Sequence, residues 1–188
     1  MEKFKSAEES SDYLTGAPAD VMDASLLNTV VDEYTLDLRQ ACKFLNEALA
    51  SEILCVLRYR SHQVLVDGIH SSMASEEFEH FAKEEFEHVM LLAMRLRELG
   101  SEPDLNPASA TKYAKTNFGS AKTLYGMIRE DLVAEKVAIG MYRKMIKWFG
   151  LQDPTTRKLL EHILSEEEHH AHQLASMLEE EGTKPMLV

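Results

Sequence analysis

Glutamate and histidine three residues apart recur on two stretches of this chain, and that spacing can bind metal. ASEEFEHFAKEEFEH carries Glu-x-x-His as Glu77/His80 and Glu85/His88, and ILSEEEHHAH carries it in overlapping register as Glu166/His169 and Glu167/His170. On a helix, residues three apart share a face, so a carboxylate and an imidazole can reach one point. Carboxylate oxygens with imidazole nitrogens suit redox metals such as iron and manganese. With 23 Glu and 8 His in the chain, about one such match arises by chance, so the pattern needs independent support. Two single glutamates are further candidates: Glu52 in LNEALASEILCVLRY and Glu135 in REDLVAEK.

Four long stretches show the apolar periodicity of helices and would have to position these residues. The first runs from about Leu36 to Val66, with Leu38, Leu45, Leu49 and Val56 on one stripe and Gly68 breaking it. The second runs from about Ser72 to Leu99, with Phe78, Phe81, Leu92 and Leu96 inward, and stops at Gly100 with Pro103 beyond. The third runs from about Ser120 to Phe149, striped by Leu124, Ile128, Leu132, Ile139, Tyr142 and Ile146, and ends at Gly150. The fourth opens at Asp153-Pro154 and runs to about Glu181, with Leu160, Ile163, Leu174 and Leu178 inward. The expected fold is all-α: two antiparallel helical hairpins joined by the long polar segment SEPDLNPASATKYAKTNFG as a crossover. Residues 1–35 read as an N-terminal arm, polar around Gly16 and Pro18, in which VMDASLLNTVVDEY has the apolar character to dock on a neighbour. Residues 36–182 form the bundle and 183–188 a short tail.

Face and height then discriminate among the acids. Glu167 and His170 share the inward stripe of the fourth helix, whereas Glu166 and His169 keep company with His162, Gln173 and Ser176. Glu85 and His88 lie on the stripe of the second helix, Glu52 on that of the first beside Tyr59, and Glu135 on that of the third. In an antiparallel hairpin, residues equidistant from the turn lie opposite each other. The midpoint of Glu52 and Glu85/His88 falls at about position 69, beside Gly68, and that of Glu135 and Glu167/His170 at about 152, inside the second turn. Four Glu and two His therefore converge in mid-bundle. Buried carboxylates at this density repel one another strongly and need compensating cations.

Composition narrows the class further. The net charge of −12 excludes binding nucleic acid through a basic face and favours attraction of cations. No apolar run reaches membrane-spanning length, and no basic-then-apolar leader opens the chain, so a cytoplasmic protein without a membrane partner is expected. Cys42 and Cys55 stand thirteen residues apart on one predicted helix, roughly 20 Å, too far to bridge.

In LNEALASEILCVLRY, EEFEHVMLLAMRLRELG, REDLVAEK and ILSEEEHHAHQL the chain resembles the bacterioferritin and Dps-like branch of the ferritin superfamily, over roughly positions 38–181. The resemblance implies a ferritin-like four-helix bundle with ferroxidase activity and iron storage, oxidising Fe(II) with O2 or H2O2 in a homo-oligomeric cage. It implies two Fe ions per subunit. Glu52 and His88 would serve one iron, Glu135 and His170 the other, and Glu85 and Glu167 both, with Tyr59 beside the centre. Asp131 and His62 are candidates for supporting or access roles, with exposed or hydrogen-bonded core roles the simpler reading of both. Bacterioferritins place a haem-binding methionine just after the second-helix glutamate. This chain has Phe86 there, which cannot ligate haem iron, so no haem is expected at that position. The short tail, with no fifth helix, and the N-terminal arm suggest 12 subunits, otherwise 24. Some relatives carry a cysteine pair near the centre. Cys55 stands one turn from Glu52, but a plain buried thiol is its simpler reading. Two rivals stay open. One is a non-storage di-metal oxidase or peroxidase of the rubrerythrin or manganese-catalase kind, although the chain has no Cys-x-x-Cys. The other is a metal-free scaffold or cargo protein.

Overall fold

The computed structural model describes residues 34–67 and 71–182; the expected arm up to residue 33, the break at Gly68 and the tail lie outside them. Helix α1 (Leu38–Leu65) starts where the Asp37 carboxylate accepts from the Arg39 and Gln40 amides, which otherwise lack intrahelical partners. Helix α2 (Ser71–Glu98) ends in a Schellman turn: Ser101 N–H donates to Leu96 O and Gly100 N–H to Arg97 O, with Gly100 at φ 74°. Among the described residues there is no strand, and no helix is long and apolar enough to cross a membrane.

The crossover contains a short helix that periodicity did not show, α3 (Pro107–Tyr113), opened by the Asn106 side chain on Ala108 N–H with Pro107 at its first turn. Seven residues are too few for a stripe to emerge, and only Ala110 of them is buried. The crossover is pinned along α1: Asp104 N–H donates to Asn46, Lys115 N–H to Ser51, and Arg58 to Asn117 O. It thus climbs α1 from its beginning towards its end, so the next helix starts at the far end of the bundle from where α2 stops.

That helix, α4 (Leu124–Phe149), begins four residues later than the pattern suggests, because Thr123 caps Gly126 N–H. The preceding Ser120 and Ala121 amides bind the Glu130 carboxylate instead of joining the helix. Gly150, at φ 52°, ends it. Helix α5 (Pro154–Gly182) opens where Asp153 accepts from Thr156 N–H and Oγ. Asp153 also pairs with buried Arg95 of α2 and accepts from Tyr34.

The buried apolar residues divide into two clusters. One gathers Leu45, Leu49, Leu92, Leu96, Tyr142, Phe149, Leu160 and Ile163. The other gathers Tyr59, Phe78, Phe81, Ile128, Leu132 and Leu174. Between them lies a layer that is not apolar at all.

Candidate metal centre

Each long helix contributes to that layer. Glu52 from α1, Glu85 and His88 from α2, Glu135 from α4, and Glu167 and His170 from α5 are all essentially without solvent exposure. Their donor atoms form two sets: Glu52, Glu85, His88 and Glu167 in one, Glu85, Glu135, Glu167 and His170 in the other, with the atoms of each set within 4.8 Å of one another. Glu85 and Glu167 belong to both. His88 Nδ1 lies 3.3 Å from Glu167 and 3.7 Å from Glu85; His170 Nδ1 lies 3.3 Å from Glu85 and 3.6 Å from Glu167.

The layer has an approximate two-fold pattern that is visible in the sequence numbers. Tyr59 follows Glu52 by seven residues, and Tyr142 follows Glu135 by seven. The two hydroxyls cross over: Tyr59 donates to Glu135 and Tyr142 to Glu52. The imidazoles cross over as well. His88 Nε2 on α2 lies 2.8 Å from Glu166 on α5, and His170 Nε2 on α5 lies 2.8 Å from Glu84 on α2. Each histidine therefore turns Nε2 outward to a carboxylate and Nδ1 inward, the arrangement that fixes a metal-binding imidazole.

Sequence reasoning does not single out Glu84 or the hydroxyl of Tyr142, and it sets Glu166 on the solvent face away from the centre. Glu166 is 37% exposed and Glu84 29%, so both sit at the edge of the solvent face on which periodicity puts Glu166. The missed signal was the doubled Glu-Glu-x-x-His, which sets an acid immediately before each inward glutamate. Glu77, His80 and His169 take no part in the layer. Asp131 and His62 have hydrogen-bonded core roles: Asp131 receives Arg58 Nε at 2.7 Å and His62 Nδ1 at 2.8 Å, a buried triad alongside the centre.

The electrostatics follow from burial. Desolvation first, then the neighbouring charges of Glu167 and Glu85, drives Glu52 and Glu135 well above the usual carboxylate range. Glu85 and Glu167 are pushed the same way by burial, but protons on their neighbours, including both imidazoles, hold them below it. His170 is pulled down by burial yet raised overall to about 10 by Glu167 and Glu85; His88 is raised likewise by Glu167, Glu52 and Glu85. Glu52 Oε2, Glu135 Oε2, both oxygens of Glu85 and of Glu167, and both histidine Nδ1 atoms have no hydrogen-bond partner in the protein. Buried polar atoms are satisfied by something in nearly every native structure, and these converge on two points. Two divalent cations fit this donor set in charge and ligand type, since four carboxylates balance them.

A sequence profile of the Ferritin-like domain matches residues 42–182. The chain belongs to the ferritin-like family. A "nutrient stress-induced DNA-binding protein" from a Synechococcus strain is 33% identical over 151 residues, covering 77% of this chain and 84% of the relative. Among ferritin-like structures, the dodecameric thioferritin of Bacteroides fragilis, a bacterioferritin-related protein, superposes with a TM-score of 0.75 at 30% identity, covering 78% of this chain and 89% of that one. Dps from Thermosynechococcus elongatus shares the fold, with a TM-score of 0.72 at 23% identity over 80% of this chain and 95% of its own.

Cys55 is buried one turn from Glu52 and receives Arg58 Nη2 at 3.4 Å. Burial first, and then the nearby Glu85, Glu52 and Glu135, pushes its thiol up against the opposing pull of Arg58. Such a thiol is poorly nucleophilic. Both Cys42 and Cys55 are unpaired, in keeping with their separation along α1.

Proposed function

We propose that this ferritin-like chain is a ferroxidase of an iron-storage cage. Fe(II) is the substrate: Glu52 and His88 bind one ion, Glu135 and His170 the other, and Glu85 and Glu167 contact both. The observation that carries this reading is the pair of donor sets sharing two carboxylates. Adjacent ions can deliver two electrons together, so 2 Fe(II) + O2 + 2 H+ gives 2 Fe(III) + H2O2, or 2 Fe(II) + H2O2 + 2 H+ gives 2 Fe(III) + 2 H2O. The protein's part is to gather and orient the ions, to neutralise the ferric charge with carboxylates, and to release protons from Glu52, Glu135 and the two histidines as the ions bind. Tyr59 holds Glu135 and Tyr142 holds Glu52 in place.

The ferric product is stored inside a homo-oligomeric shell. The bacterioferritin-related thioferritin of Bacteroides fragilis is dodecameric, which supports 12 subunits. The name of the Synechococcus relative concerns DNA. Here the net charge is −12, and the first 33 residues set Lys3 and Lys5 against eight acids, so no nucleic-acid partner is proposed. Phe86 is 54% exposed and offers no ligand atom, so neither is haem at that place. The proposed location is cytoplasmic.

The test is anaerobic Fe(II) loading followed by O2 or H2O2, with the native mass of the assembly measured in parallel. A hollow multi-subunit shell that accumulates ferric mineral supports the reading. Oxidation that stops at the ions of the centre shows a non-storage di-metal oxidase, and absence of any affinity for Fe(II), Mn(II) or Zn(II) shows a scaffold.

A further inference from the structure

The face between α1 and α4 carries a groove of about 640 Å³, with Phe44, Gly140, Met141 and Trp148 among its lining and Lys136 and Lys144 at its edge. A Cβ added to Gly140 would meet no atom within 4 Å. Glycine inside a helix weakens it, and close approach of another backbone is one physical reason to have it there. Among the described residues nothing makes that approach. Lys136 and Lys144 are exposed, and neither forms an ion pair with a described residue.

The described chain begins at the end of the bundle where Trp148 stands, with Tyr34 donating to Asp153 just beyond α4. Tyr34 and Leu36 pack against the same apolar cluster as Phe44, Met141 and Trp148, and Phe44 meets Trp148 edge-on at 5.1 Å. Immediately upstream stands VMDASLLNTVVDE, residues 21–33. At helical spacing its Leu26, Leu27, Val30 and Val31 share one face, and Asp23, Asp32 and Glu33, with Asp20 just before the segment, make it acidic. Thirteen residues of helix span roughly 20 Å, and the twelve steps of α4 from Lys136 to Trp148 about 18 Å.

We propose that residues 21–33 dock in the α1/α4 groove of their own chain. Their apolar face covers Trp148 and approaches Gly140, and their acids face Lys136 and Lys144. The segment runs antiparallel to α1 after a turn at residues 34–37, which sets its first acids towards Lys136. Length, apolar pattern and charge sign all match the groove, whose Trp148 end lies at the end of the bundle where the described chain starts.

Trp148 is the only tryptophan, so its fluorescence reports on the groove in the full-length assembly. Leu27→Asp with Val30→Asp, Gly140→Leu, and Lys136→Glu with Lys144→Glu are each expected to shift its emission to the red and increase quenching by acrylamide. Adding Asp20→Lys and Asp23→Lys to the lysine reversals is expected to restore shielding. Gly140, Lys136 and Lys144 belong to neither donor set, and Fe(II) oxidation is expected to continue in the arm variants, which also shows that they are folded. An unchanged Trp148 signal in the Leu27/Val30 variant overturns the proposal. So does exposure of Trp148 on dissociation into protomers with the arm intact, which assigns the groove to a second copy.

Discussion

The outward nitrogens of His88 and His170 are each held by an acid from the opposite helix, Glu166 and Glu84. Those acids are expected to set metal affinity without binding metal themselves. Glu84→Gln or Glu166→Gln should weaken Co(II) or Zn(II) binding by roughly 10–100-fold, read by competitive titration; unchanged affinity would remove both from the account. The pH dependence of stability can be worked out from the same layer. His170, raised from 6.5 to about 10, supports the protein lacking cations fully below about pH 6.5 and loses that contribution as pH rises towards 10. Glu52, Glu135 and His88 are raised too, so they act in the same direction. Metal binding requires all four to be deprotonated. The rise in Tm produced by saturating Zn(II) should therefore grow between about pH 6 and 8, measured against an EDTA-treated control; a rise that shrinks over that range contradicts this picture. Tyr59→Phe removes a buried hydrogen bond to Glu135 and should cost about 1–3 kcal/mol by urea unfolding.

At the scale of elements, the helices were legible because their signals are local. Apolar stripes fixed four long helices, and Gly100, Gly150 and Pro154 mark ends that the structure shows at or within two residues of those positions. The convergence of Glu52, Glu85, His88, Glu135, Glu167 and His170 was also legible, because face follows from the 3.6-residue period and height from the hairpin turns. What periodicity could not show depends on contacts between helices. Tyr142 reads as an ordinary stripe residue until its hydroxyl is seen on Glu52, and Glu166 reads as solvated until His88 reaches it. The Arg58–Asp131–His62 triad joins residues of α1 and α4 that no single-helix pattern links. The Schellman turn gives a prediction at this scale: Gly100→Ala, forced to φ 74°, should destabilise by about 1–2 kcal/mol.

For the whole molecule, the bundle has two apolar clusters that stabilise it and a polar layer between them that works against it. Four acids in an unexposed layer are tolerable only because protons or cations neutralise them, which ties the stability of this chain to what it binds. The central claim is that Glu85 and Glu167 hold two Fe(II) ions side by side. Anaerobic Fe(II) titration followed by stopped-flow oxidation, on the unaltered chain and on Glu85→Ala with Glu167→Ala, tests it most directly. The account predicts two tightly held ions per chain, one for each donor set, and loss of both tight binding and fast oxidation in the variant. Unchanged uptake and an unchanged oxidation rate would contradict it.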